Sequence, residues 1–109
     1  MNEEKAVKKY IPMTETMFFI LLSLQQEQHG YGIMLYVRQL TNNRIVLGAG
    51  TIYNSLSRLE RDGLIKALSE DDRKKTYITT ELGKKILHTE AKRIAELYKN
   101  VKSLLGETR

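Results

Sequence analysis

The chain has 109 residues, a formal net charge of +5 with a pI near 9.5, and no cysteine. That length supports one modest core and leaves no room for a separate ligand domain, while the lack of thiols excludes disulfides, thiolate chemistry and the common zinc sites, so no metal or other cofactor is expected. The positive balance favours a polyanionic partner, which on charge alone is DNA, RNA or an anionic membrane surface.

Residues 1–10, MNEEKAVKKY, are polar and predict a frayed segment with at most a weak helical turn before Pro12. They lack the apolar core of a signal peptide, and no later stretch approaches the roughly 18 apolar residues of a membrane span. A cytoplasmic protein with no membrane segment is expected. Thr14 is placed to cap a helix in which Met17, Phe18, Ile20, Leu21, Leu22 and Leu24 leave nearly every side apolar. Such a helix belongs to the core, with a share in a dimer interface as the alternative addition. His29, Gly30 and Gly32 break the pattern, and Ile33, Met34, Val37 and Leu40 resume it at helical spacing through about Thr41. Asn42 and Asn43 end this helix, and residues 45–49 lead into the next.

The run GTIYNSLSRLERDGLI at residues 50–65 is the most informative in the chain. At about 100° per residue, Ile52, Leu56 and Leu59 fall within roughly 60° of one another and form a core face. Gly50, Asn54, Ser57, Arg58 and Arg61 occupy the opposite side, flanked by Thr51 and Tyr53 near the N-terminal end. Short polar groups there let backbone approach a groove, while Arg58 and Arg61 reach for phosphates. Gly63 suits the left-handed position that ends a helix, so this one stops near Asp62. Residues 64–69 and 75–79 then read as antiparallel strands around a charged tip of Glu70, Asp71, Asp72, Arg73, Lys74 and Lys75. A helix with one oily and one small, basic face that runs into a hairpin is the plan of a winged helix-turn-helix, although the tip by itself is most often only a solvated turn.

Thr80 caps the last helix and Glu81 sits favourably in its first turn. Leu87, Ala91, Ile94, Tyr98, Val101 and Leu105 recur at alternating spacings of four and three, the a/d seam of a coiled coil, with Leu97 and Leu104 widening the stripe. A helix over residues 80–105 is about 39 Å long, more than so small a domain covers. Either it folds back on its own domain or its far half meets a second copy.

Three segments, HGYGI at 29–33, GTIYNSLSRLERDGLI at 50–65 and RKKTYITTELGKKIL at 73–87, together resemble the PadR family of transcriptional regulators, in order and in spacing. The resemblance implies a mainly α fold with a small β-hairpin, in which residues 1–79 hold the N-terminal segment and the winged helix-turn-helix. Residues 80–109 then form a C-terminal dimerisation helix of the same compact unit. It further implies a double-stranded DNA operator as partner, with Tyr31 facing the DNA backbone; read by itself, Tyr31 is as well a half-buried tyrosine closing a turn. Arg73 and Lys75 become wing contacts to phosphate, with Asp71 and Asp72 shaping the turn. The family usually has proline after the tyrosine of the recognition helix and this chain has Asn54, so the family's operator preference is not carried over.

In the small PadR-like regulators, hydrophobic compounds bind between the paired C-terminal helices, and drug-binding members stack a tryptophan on them. This chain has no tryptophan; the equivalent place falls near Ile94, which argues against flat aromatic drugs. Met17, Phe18, Ile94 and Tyr98 are the candidate lining residues of a pocket for a small hydrophobic effector, and each also reads as ordinary packing. His29 in a turn and His88 on the polar side of the last helix have no second ligand or base at useful spacing, and no phosphate loop or nucleophile motif occurs, so no enzyme is expected. The expected function is a homodimeric, sequence-specific DNA-binding regulator, a repressor released by its ligand. A winged-helix module for protein–protein interaction is the rival from another class. The polar and basic face of the recognition helix beside a basic wing favours DNA.

Overall fold

The computed structural model describes residues 1–71 and 74–106. Among them are helices α1 (Glu3–Tyr10), α2 (Glu15–Ser23), α3 (Gly30–Leu40), α4 (Ala49–Arg61) and α5 (Glu81–Leu105), and strands β1 (Gln28–His29), β2 (Ile65–Asp71) and β3 (Lys74–Thr79). The strands form one antiparallel sheet in the order β1-β3-β2. Thr79 stands opposite Ile65 and Tyr77 opposite Gln28, with an irregularity in β2 between Ala67 and Ser69. This is the mainly helical architecture with a small sheet that the sequence predicts, one strand richer.

The extra strand is β1, whose two residues are too few to carry an alternating pattern. The N-terminus also departs from expectation: residues 3–10 are a docked helix rather than a frayed segment. The Asn2 side chain accepts the Lys5 N–H at 2.8 Å, and Ala6 and Tyr10, one turn apart, are buried, with Val7 and Ile11 partly buried against the core. Two apolar positions four residues apart are enough once α5 and α4 provide a surface to meet them.

The other helix ends follow local chemistry. Thr14 and Thr80 each accept an N–H three residues on, from Met17 and Gly83, both at 3.1 Å. Gly30 and Gly32 lie inside the first turn of α3 rather than ahead of it, because His29 is the cap and its Nδ1 accepts the Gly32 N–H at 3.1 Å. Asn42 and Asn43 take left-handed φ angles of 51° and 66° after α3, a region asparagine tolerates better than most side chains, and Gly63 takes 81° after α4.

Ile20 and Leu21 of α2 and Leu24 at its C-cap, Ile33 and Val37 of α3, Ile52, Leu56 and Leu59 of α4, Leu64, Ile65 and Ile86 make one continuous core. Only the first half of α5 enters it, through Gly83, Ile86, Leu87 and Glu90. Leu87, expected at the head of an intermolecular seam, is 4% exposed and is spent on the chain's own core. From Ile94 onward the stripe lies open: Ile94 is 38% exposed, Leu104 82% and Leu105 78%. No helix among the described residues is long and apolar enough to cross a membrane.

Candidate nucleic-acid interface

The amphipathic pattern of α4 settles how it sits. Ile52, Leu56 and Leu59 are buried, whereas Gly50, Thr51, Tyr53, Asn54, Ser57, Arg58 and Arg61 are exposed. Gly50, Asn54, Ser57 and Arg61 form the outermost strip. The α4 N-terminus has Gly48 at the cap position with no side-chain bond, which leaves its first N–H groups unfilled by side chains. Groups that accept from them, phosphate oxygens included, are favoured at such an end.

The two flanks of the helix are engaged differently. On one side the Tyr53 ring leans over the start of α3, where a Cβ added to Gly30 would stand 3.1 Å from the Tyr53 hydroxyl. Gly30 of HGYGI therefore makes room for a tyrosine of α4, tying α3 and α4 at their N-terminal ends. Tyr31, the next residue, is 61% exposed and its ring stacks on that of His29 at 6.3 Å between centroids. The ring is therefore exposed and not half-buried. Lys75, on β3, is exposed on the same side; its Nζ lies 5.7 Å from the Tyr77 ring centroid and 3.8 Å from a Glu60 carboxylate oxygen. Arg73 and Asp72, the remaining expected residues of the tip, lie outside the described residues.

On the other flank Arg58 is not splayed outward with Arg61. Its guanidinium carbon stands 5.6 Å from the centroid of the Tyr10 ring on α1. Beneath it the Tyr10 hydroxyl donates a 2.6 Å hydrogen bond to Asp62 Oδ2, the C-cap residue of α4, and Lys9 Nζ lies 2.6 Å from the same oxygen. Burial, the Asp62 hydrogen bond and its charge push the Tyr10 hydroxyl above its ordinary pKa. Burial works to raise Asp62, but the hydrogen bonds from Lys9 and Tyr10 prevail and hold its carboxyl below the ordinary carboxylate value. Lys9, Tyr10 and Asp62 carry no local sequence signal of this arrangement; it needs residues 52 positions apart.

The expected effector-pocket residues are brought together only in part. Phe18 and Ile94 share an open, largely apolar groove of about 480 Å³ with Met13, Glu15, Phe19, Glu90 and Arg93. Met17 instead borders a smaller niche beside Tyr10 and Arg58, and Tyr98 lies exposed one turn further along α5. The polar floor of the groove has no counterpart in the sequence pattern. Glu90 is fully buried and accepts the Met13 N–H at 2.7 Å and two bonds from Arg93, at 2.5 and 3.0 Å. The Arg93 bonds, outweighing burial and aided by the Met13 N–H, hold its carboxyl below the ordinary range. A glutamate three residues before an arginine is common on a solvated helix face, which is why the sequence did not expose it.

Comparison with known proteins bears on the whole arrangement. The profile of the transcriptional regulator PadR-like family matches residues 20–89. A 37.1 kDa protein of transposon TN4556 from Streptomyces fradiae is 36% identical over 69 residues; the match takes in 63% of this chain and only 19% of that protein. Among solved structures, a PadR family transcription regulator from hypervirulent Clostridium difficile R20291 has a TM-score of 0.70 at 25% identity, over 85% of this chain and all of that one. A transcriptional regulator from Clostridium thermocellum shares the fold at a TM-score of 0.70 and 22% identity, over 96% and 99% of the two chains. Bacillus subtilis PadR in complex with operator DNA matches at a TM-score of 0.58 and 29% identity, over 72% of this chain and 47% of that one.

Proposed function

The chain belongs to the PadR-like family of transcriptional regulators, a winged helix-turn-helix family whose members are not enzymes, and from that premise we propose that it binds operator DNA as a homodimer and represses transcription. The observation that carries this reading is the outward strip of α4, Gly50, Asn54, Ser57 and Arg61, free of core duty and set beside the exposed Tyr31. Thr51 and Tyr53 flank the end that enters a major groove. Asn54 and Ser57 carry donors and acceptors suited to base edges, and Arg58, Arg61, Lys75 and Arg73 supply charge for phosphates. That Bacillus subtilis PadR, of the same family, is seen with operator DNA supports operator DNA as the partner here.

The dimer follows from α5. Ile94, Leu97, Tyr98, Val101, Leu104 and Leu105 run along the part of the helix that leaves the core, and a two-fold partner laid on that stripe buries it. Ala91, exposed between the core and that stripe, completes the seam. Two copies so joined present their recognition helices to half-sites about 34 Å apart. The groove at Phe18 and Ile94 is the seat we assign to a small hydrophobic effector, whose binding would reset that spacing and release the DNA. Selection of bound duplexes from a random pool by the purified protein tests the reading: a palindromic enriched site supports it, and no enrichment over the starting pool refutes it.

A further inference from the structure

Two cations from different helices converge on one ring. Lys9 Nζ of α1 lies 5.8 Å and Arg58 Cζ of α4 lies 5.6 Å from the centroid of Tyr10. Between the helices is a niche of about 100 Å³, bordered by Lys9, Tyr10, Thr14 and Arg58 among others. The one carboxylate bonded to this group among the described residues is Asp62, which is buried and turned to the Tyr10 hydroxyl and Lys9. Its charge faces inward, so the surface left outside is positive.

The positive surface extends along α1. Lys5 precedes Lys9 by four residues and so lies on the same side, whereas Glu3 and Glu4 fall about 100° of rotation or more away; Glu4 is 3.8 Å from Lys8. Arg61, one turn beyond Arg58, is exposed on the outer strip of α4. Lys5, Lys9, Arg58 and Arg61 therefore make one basic edge that runs from α1 onto the recognition helix. Lys9 spends one of its three donors on Asp62, and no carboxylate among the described residues pairs with Arg58.

We propose that this edge is a second contact with the DNA backbone, in which a phosphate flanking the recognition helix seats between Lys9 and Arg58 and the neighbouring one meets Lys5. It rests on the reading of α4 as the DNA-reading helix and extends the footprint to a helix outside the helix-turn-helix. Tyr10 is the positioning residue: its ring collects both cations and its hydroxyl keeps the competing carboxylate turned inward. Contacts of this kind add affinity without sequence preference.

The test is a fluorescence titration of a labelled mixed-sequence duplex at several salt concentrations, with wild type, Lys5→Gln, Lys9→Gln and Lys9→Arg. Each glutamine variant lowers the slope of log affinity against log salt by about 0.9, the value for one lost phosphate contact, Lys9→Arg restores it, and the base preference stays as in wild type. Lys9→Gln also strips Asp62 of one of its two partners, so Lys5→Gln, which pairs with no carboxylate among the described residues, decides the matter. Wild type that binds while Lys5→Gln leaves the slope unchanged overturns this proposal alone; wild type that fails to bind any duplex overturns the function reading and this contact with it. Inorganic phosphate at constant ionic strength separates the two sources of phosphate: no saturable rise in melting temperature is expected, and a rise abolished by Lys9→Gln assigns the niche to a free phosphoryl ligand and overturns the backbone contact.

Discussion

The Tyr10 hydroxyl and the Asp62 carboxylate, 52 residues apart in sequence, meet in a 2.6 Å hydrogen bond beneath the C-terminal end of α4. Three residues after Tyr10, the Met13 N–H is held at 2.7 Å by Glu90 of the long helix. The short strap of residues 10–13 is thus fastened at one end to α4 and at the other to α5. The helix proposed to read DNA and the helix proposed to hold the partner are joined through a segment to which the amino-acid pattern alone assigns no role.

Tyr10→Phe keeps the ring and removes only the donor to a buried carboxylate. A hydrogen bond to a charged group contributes about 1.5–3 kcal/mol, so the urea midpoint falls by that equivalent while the denaturant slope m stays unchanged. An unaltered midpoint shows that Lys9 alone satisfies Asp62.

The same carboxylates set an acid limit. Asp62 and Glu90 are both held below their ordinary values of 3.8 and 4.5, so the unfolded chain takes up protons first as pH falls. Their stabilisation is complete above those values and is lost progressively as pH drops below them. Tyr10 is shifted upward from 10.0, and its contribution is present below that value and lost as pH rises past it. Denaturation midpoints measured across pH should show a plateau with both limbs. Glu90→Gln removes its share of the acid limb, and an acid limb of unchanged depth in that variant contradicts the assignment.

Asn54→Ala with Ser57→Ala alters the outward strip of α4 without touching its buried face. Folding stays near wild type, since both side chains are exposed, while each lost base contact costs about 1–3 kcal/mol at one operator position. Competition titrations with selected and scrambled duplexes separate the outcomes: equal weakening on both means that these residues position the protein and do not read sequence.

Ile94→Asp examines the proposed seam. At 38% exposure in the single chain, an aspartate there is tolerated by the protomer's own fold, but against a partner helix it becomes an uncompensated buried charge costing about 3–5 kcal/mol. Sedimentation should give a monomer with native circular dichroism and sharply weakened operator binding. A variant that remains dimeric at micromolar concentration moves the interface away from Ile94.

Where local chemistry repeats along the chain, sequence alone determined the outcome. Thr14 and Thr80 as caps, Gly63 as the stop after α4, the buried triad Ile52, Leu56 and Leu59, and the run of α5 to Leu105 all follow from spacing and capping, and the segments at 29–33, 50–65 and 73–87 carry the family resemblance by themselves. What tertiary structure decided are the places where partners lie far apart in the chain. Residues 3–10 have too little apolar surface to order themselves, yet Ala6 and Tyr10 dock because α5 and the end of α4 receive them. Strand β1 exists only because β3 offers Gln28 and His29 its open edge. Leu87 and Ile94 occupy the same seam in a heptad pattern, but one is buried and the other open, since periodicity fixes the face of a helix and not where along its length the domain ends. Arg58 likewise belongs to the polar face by spacing and to Tyr10 by packing, because the ring that attracts it comes from a helix 48 residues away.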